Sequence, residues 1–265
     1  MYTHLILRYG ELFLKGNNQG FFEEKLMNNV AALLPPLEVR RLRGRLLLPY
    51  FPDHKLIRRI FGISSYSPAL FVKKELSDII EGAGALLQHK KGTFRVETKR
   101  SDKRFFLLSP DVNRTVGMAL EKKGLRCDLT LPDFVLYIEI NEAGAYLFTE
   151  IISGAGGLPV GVEGKVAVFI EDEASILAGL LMMKRGCQIV PLATSAQEIS
   201  LLQQYSPKKL SLQLSSKEEI FSQKLLVRGV WWEHFTQIKS EGVVLYPLIA
   251  YNSEEIALQL ATFSD

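Results

Sequence analysis

Short apolar runs alternate with amphipathic segments along the whole chain, and the order in which the two kinds follow one another divides it into three segments. Residues 3–9 read as a strand, a polar loop follows, and a helix over 21–34 ends at Pro35 and Pro36, which cannot continue it. Strands over 37–42 and 45–50 flank the tight turn Arg43-Gly44; a helix over 53–61 is closed by Gly62, and a strand over 69–73 follows. That order, β-α-β-β-α-β, is a ferredoxin-like unit. A second segment begins near residue 64, with a helix over 77–88, a strand over 93–100, a helix over 111–123 and strands over 134–140 and 145–152. The glycine-rich stretch SGAGGLPVGVEG, residues 153–164, precedes a strand and does not join strand to helix, so it reads as a hinge linker.

The third segment opens with KVAVFIEDEASILAGLLMMKRG, residues 165–186. Its apolar run 166–170 reads as a buried parallel strand, followed by a helix whose apolar face includes Ile176, Leu180, Leu181 and Met183. Further strands over 188–192, 210–214, 225–228 and 243–248 alternate with helices near 196–205, from 216, around 231–238 and over 253–262. The class is therefore α/β with an α+β first half, and the third segment forms a small Rossmann-like, doubly wound parallel sheet. A strand-to-helix corner at the carboxyl edge of such a sheet offers free N–H groups and a helix dipole to phosphates. Here the corner carries Glu171, Asp172 and Glu173, with no glycine between Ile170 and Ser175, and three carboxylates repel a triphosphate. The same acids suit an N-cap at Asp172 and the helix dipole. Adjacent carboxylates without histidine are usually solvated, so no metal site is expected. Trp231 and Trp232 suit a core, with a partner surface as the other reading.

Composition sharpens the division. The 265 residues, 47% hydrophobic, allow two or three domains. A net charge of +3 conceals an asymmetry: residues 1–130 hold 23 Lys and Arg against 13 Asp and Glu, net +10, and the remainder holds 9 against 16, net −7. The first half is suited to a polyanion. The run TKRSDKR places Lys99, Arg100, Lys103 and Arg104 at a strand end and loop, with Asn113 and Arg114 opening the next helix. Such clustering fits a phosphate backbone or an RNA terminus better than a base-reading groove. Apolar runs fall short of a membrane span, and MYTHLILRYGE has neither a basic n-region nor a cleavage site; a cytoplasmic protein is expected. Cys127 and Cys187 are isolated and read as small apolar residues, without zinc or disulfide framework.

Six collinear stretches resemble the tRNA 4-thiouridine synthetases, the tRNA sulfurtransferases also used in thiazole formation: RYGELFLKG at 8–16, FGISSYSPA at 61–69, TFRVETKRSDKRF at 93–105, DLTLPD at 128–133, GGLPVGVEGKV at 156–166 and LMMKRG at 181–186. The resemblance implies a ferredoxin-like domain over 1–62, an RNA-binding THUMP domain over 63–155 and a PP-loop-type domain over 156–265. It implies a tRNA held near its acceptor end, with Arg8, Lys15, Lys99, Arg100, Lys103, Arg104 and Arg114 at motif positions; Arg8 could equally pair with Glu11. The departure lies in the ATP-binding SGGxDS loop, which falls on Ile170, Glu171, Asp172, Glu173, Ala174 and Ser175, where only Ser175 matches. The family also places a sulfur-carrying cysteine before a later segment that corresponds to VRGVWWEHF at 227–235, and no cysteine lies between Gln188 and Val227. A rhodanese extension is absent from these residues, whereas YPLIAYNSEEI at 246–256 resembles the closing strand and helix. The expectation is a non-catalytic RNA-binding relative with tRNA as partner and no cofactor. In that reading the third domain is a surface for a second copy of this chain or another partner. Two alternatives stand beside it: an active thiolating enzyme using ATP and Mg, and a structural or regulatory subunit that pairs with an active enzyme and does not itself select tRNA.

Overall fold

The computed structural model describes residues 2–10, 18–42, 44–236 and 240–264. The chain opens with strand β1 (His4–Arg8), helix α1 (Gln19–Leu33), the hairpin β2 (Arg40–Leu42) and β3 (Arg45–Pro49), a 3-10 helix at His54–Arg59, and β4 (Ser65–Val72). In α1, Phe22, Leu26 and Val30 recur at fourfold spacing and are buried, and the helix ends ahead of Pro35. The helix expected over 53–61 is a six-residue 3-10 turn, closed by the Ile60 N–H donating to the Ile57 carbonyl at 3.1 Å. Gly62 closes it at φ +102°, and a Cβ there would meet Leu26 Cδ1 at 3.0 Å and Pro159 Cγ at 3.1 Å.

Helix α2 (Leu76–Leu87), strand β5 (Thr93–Arg100), helix α3 (Ser109–Glu121) and strands β6 (Arg126–Cys127), β7 (Phe134–Ile140), β8 (Ala145–Phe148) and β9 (Ile152–Ser153) follow. The strand expected over 145–152 is thus two pieces, the second pairing with β4. The sheet order is β2-β3-β1-β4-β8-β7-β5-β6. Its first four strands have the ferredoxin-like order, and the antiparallel β4–β8 pair, with Leu70 opposite Leu147, continues them into the second segment. Ile79, Ala83 and Leu87 of α2 and Val112, Val116 and Leu120 of α3 pack on Leu136, Ile138 and Leu147. Alternation along β7 and β8 sends Tyr137, Tyr146 and Phe148 to a separate cluster with Ile6, Leu47 and Ala69.

The third segment comprises β10 (Lys165–Phe169), α4 (Glu173–Lys184), β11 (Gln188–Ala193), α5 (Ser200–Tyr205), β12 (Gln213–Leu214), α6 (Lys217–Phe221), β13 (Leu225–Arg228), a 3-10 turn at Trp232–His234, β14 (Val243–Leu245) and α7 (Ser253–Ser264). All pairs in this sheet are parallel, in the order β12-β11-β10-β13-β14. The order reverses between β10 and β13, which makes that edge the topological switch point of a doubly wound sheet. Helix α4 is buried nearly all round, with Ile176, Leu180 and Met183 in the core and Leu181 packed partly against it. The helix expected around 231–238 reduces to the three-residue turn; Ile238 lies outside the described residues, Trp231 packs on the core, and Trp232 is 73% exposed.

Residues 153–164 are not a free hinge. Gly156 N–H donates to the Ile63 carbonyl and Gly62 N–H to that of Gly156, both at 2.8 Å, and Gly161 N–H reaches the Gly186 carbonyl at 2.7 Å. Asn29 Nδ2 donates to the Val160 carbonyl at 3.1 Å, and Val160 is itself a core residue. Glycine composition here serves close backbone approach, not freedom. By compactness the chain forms two units: one of residues up to 7, 40–52 and 66–152, the other of 8–39, 53–65 and 153 onward. No helix among the described residues is long and apolar enough to cross a membrane.

Candidate nucleic-acid interface

Strand β5 sets the position of the basic cluster. It lies parallel to β7 in continuous register from Phe94 opposite Phe134 to Arg100 opposite Ile140, and Ser101 N–H extends the ladder to the Ile140 carbonyl at 2.9 Å. Phe94 and Val96 point into the core, and Lys99 is exposed. Beyond the strand, the turn to α3 is organised around Asp102, which is only 3% exposed. Its Oδ2 accepts from Lys74 Nζ at 2.7 Å, and its Oδ1 accepts from Arg104 N at 3.0 Å and Arg104 Nε at 3.1 Å. These bonds, led by that from Lys74, hold the carboxyl well below the usual carboxylate range, and the same contact raises Arg104. Arg100 Nη1 donates to the Phe105 carbonyl at 2.9 Å, fixing the far side of the turn.

The predicted residues therefore separate by role. Arg100 and Arg104 hold the turn, although the Arg104 side chain remains 73% exposed and its Nη2 pairs with Glu142 at 3.2 Å. Lys99 and Lys103 are exposed. Arg114 is exposed on α3 and pairs with Asp111 one turn back, at 2.9 Å, an arrangement that contributes little to stability. Asn113, half-buried on the same helix, has a buried Oδ1 without a hydrogen-bond partner. Arg8 is half-buried at the end of β1, and its carbonyl accepts from Ser64 N at 2.8 Å. Lys15 lies outside the described residues, as does Glu11, the alternative partner of Arg8.

Beside the turn is a cavity of about 560 Å³, lined by Lys99, Arg100 and Glu139 from the second segment and by Ile6 and Arg45 from the first, with Tyr146. Arg45 is the functional candidate that the sequence reading missed. Its Nε is buried without a hydrogen-bond partner and lies 3.6 Å from Glu139 Oε2. Arg100 Nε is likewise buried and unpartnered. Both nitrogens are shut off from solvent, and the guanidinium groups are otherwise held by Glu139 and by the Gly44 and Phe105 carbonyls, so what this cavity offers an anion is positive charge, led by exposed Lys99. The available signal was the alternation of β3, which puts Arg45 on the same face as Leu47.

At the switch point of the third segment the corner is filled from within. Asp172 caps α4, accepting from Ser175 N at 2.9 Å, and Ser175 Oγ accepts from the N–H groups of Glu171 and Asp172, both at 3.0 Å. Those are the amides that would otherwise face a phosphate. The Glu171 carboxylate accepts from Arg228 at the end of β13, whose guanidinium lies 5.9 Å from the Phe169 ring and 5.8 Å from that of Phe221. Gly229 passes over the first turn of α4: a Cβ there would stand 2.3 Å from Ser175 N. Ala174, in the helix's first turn, is buried, and Ile170 and Glu173 flank the filled loop. Cys187 is buried and Cys127 half-buried; burial raises both thiols, which favours the protonated form and disfavours nucleophilic roles.

Residues 4–67 match the ThiI ferredoxin-like domain and residues 73–150 the THUMP domain. A protein of Moorella thermoacetica named probable tRNA sulfurtransferase is 42% identical over 203 residues, covering 72% of this chain and 52% of the relative. A protein of the same name from Methanocaldococcus jannaschii is 39% identical over 217 residues, covering 74% and 57%. The chain thus spans about half the length of the curated relatives it matches. The solved structure of PH1313 from Pyrococcus horikoshii superposes with a TM-score of 0.86 at 29% identity, covering 99% of this chain and 100% of that one. A 4-thiouridine synthetase solved with RNA and ATP shares the fold, with a TM-score of 0.82 at 22% identity over 99% of this chain and 85% of that one. The chain carries the ferredoxin-like and THUMP domains of the ThiI family followed by a parallel-sheet domain, and it belongs with the homologues named tRNA sulfurtransferase.

Proposed function

We propose that this protein binds tRNA through the basic face of its first half and that its third domain does not adenylate a substrate. The observation that carries the reading is the contrast between two anion-suited places. At the β5–α3 turn, Asp102 fixes the backbone of Arg104, Lys99 and Lys103 are exposed, and Lys99 lines a cavity together with Arg45 and Arg100. At the nucleotide corner, the amides are spent on Ser175 and the Glu171 carboxylate occupies the guanidinium of Arg228. A phosphate gains at the first place and is opposed at the second. The RNA-bound state of the structurally similar 4-thiouridine synthetase supports RNA as the ligand. Cytoplasmic location, a second copy as partner and domain limits near residues 62 and 155 are part of the same proposal.

The relatives' name favours a second reading, in which the chain still takes part in tRNA thiolation with ATP bound elsewhere or sulfur supplied by a partner. Comparing tRNA, tRNA lacking its 3′ end, and ATP with Mg²⁺ in one binding assay separates the readings. The proposal expects salt-sensitive tRNA binding and no ATP binding; ATP affinity, or tRNA-dependent pyrophosphate release, supports the second.

A further inference from the structure

Phe105 and Phe106 are adjacent in the basic turn and meet opposite ends. Phe105 is 7% exposed and joins the core of α2 and α3, whereas Phe106 is 71% exposed, its ring 5.0 Å from that of Phe105 and tilted by 41°. A loose loop could fold such a ring away, but this turn is pinned on both sides. Asp102 holds the backbone of Arg104, and Arg100 holds the carbonyl of Phe105, the atom group immediately before Phe106. The ring is thus presented to solvent by a fixed backbone, next in sequence to Lys103 and Arg104 and shortly before the start of α3. A large aromatic ring left in water forfeits the burial its neighbour obtains. Cations around a single exposed π-face are the combination that single-stranded nucleic acid requires: the cations meet the phosphates, and the ring stacks on a base without regard to its identity.

We propose that Phe106 is the stacking platform for an unpaired base of the bound RNA, a reading that rests on the RNA-binding function above. It makes an unpaired segment, not a duplex, the part of the ligand that this turn recognises. The paired partner Phe105 is structural, and the preorganised turn reduces the ordering cost of the contact.

The test uses the full chain and two RNAs, a blunt duplex and the same duplex with a four-nucleotide 3′ overhang, with affinity read by fluorescence anisotropy at fixed salt. Phe106→Ala is expected to weaken overhang binding about tenfold, the loss of one stacked base, and to leave blunt-duplex binding unchanged. Phe106→Trp is expected to restore affinity and to show quenched tryptophan fluorescence on binding. Phe106→Leu keeps the apolar surface but not the π-face and is expected to behave like Phe106→Ala. Restoration by leucine, or equal loss on both RNAs, overturns the proposal. If Phe106→Ala binds the overhang like the parent while neutralising Lys99, Arg100, Lys103 and Arg104 abolishes binding, the platform fails and the RNA-binding reading stands. If the parent binds neither RNA, both fail.

Discussion

Arg228 places two guanidinium nitrogens on one carboxylate oxygen of Glu171, Nη2 at 2.7 Å and Nε at 3.0 Å. The pair joins the ends of β10 and β13 across the switch point, where a doubly wound sheet ordinarily receives a ligand. A side chain of the protein thereby stands as the anion of its own corner. The Arg228 side chain is only 12% exposed and that of Glu171 is 34% exposed, so the attraction is screened less than at an open surface. Glu171→Gln keeps the shape and removes the charge, and it is expected to lower stability by about 1–2 kcal/mol in urea unfolding. The same variant is not expected to bind ATP, because Asp172, Ser175 and Gly229 still fill the corner. Calorimetry with ATP and Mg²⁺ checks the second point.

Gly229 gives a steric test of that filling. Its added Cβ would meet the Ser175 amide and Cα at 2.3 and 2.4 Å, and both are backbone atoms that no rotamer change can remove. Gly229→Ala is expected to cost about 1–3 kcal/mol through displacement of α4 or β13. A thermal melt equal to the parent's would show that the loop is not packed as described.

A pH dependence follows from Asp102. Its carboxyl ionises well below the ordinary value near 4 that it has in the unfolded chain, so the native state favours the charged form. The stabilisation is complete at neutral pH, begins to be lost as pH falls through about 4, and is gone below the depressed folded value. Asp102→Asn is expected to melt earlier than the parent at pH 7 and to converge with it in acid. Melting curves from pH 7 down to 2 check this: the gap is expected to hold to about pH 4 and to narrow below it, and a gap that stays constant to pH 2 would place the carboxylate outside the network of Lys74 and Arg104.

Local pattern made much of this fold legible. The bounds of β5, β7 and β13 coincide with the expected strands, since each is an apolar or alternating run closed by polar residues or glycine. What escaped depends on contacts distant in sequence. The joining of the first and second segments into one sheet rests on β4 pairing with β8, some 75 residues away, which no local period encodes. The glycine-rich stretch looked free because its partners, Ile63 and Gly186, are remote or belong to another element. At the site, the charges were legible but their partners were not. Arg100 and Arg104 read as RNA contacts, and the structure gives them a prior task in holding the turn. Arg45 was hidden because nothing in the hairpin sequence RRLRGR singles it out from Arg40, Arg41 and Arg43 until the sheet brings it beside Lys99 and Glu139.

The central claim is that the exposed cations after β5 hold RNA phosphates, and the most direct measurement is tRNA affinity across a salt series for the parent and for a variant with Lys99, Arg100, Lys103 and Arg104 changed to glutamine. Folding of the variant is verified by circular dichroism, because Arg100 and Arg104 also brace the turn; the pair variant Lys99→Gln with Lys103→Gln leaves those braces in place. The account predicts binding that weakens steeply with salt in the parent, with the slope of log K on log salt falling by roughly 0.7–0.9 for each phosphate contact removed. Parent-like affinity and slope in both folded variants would contradict it.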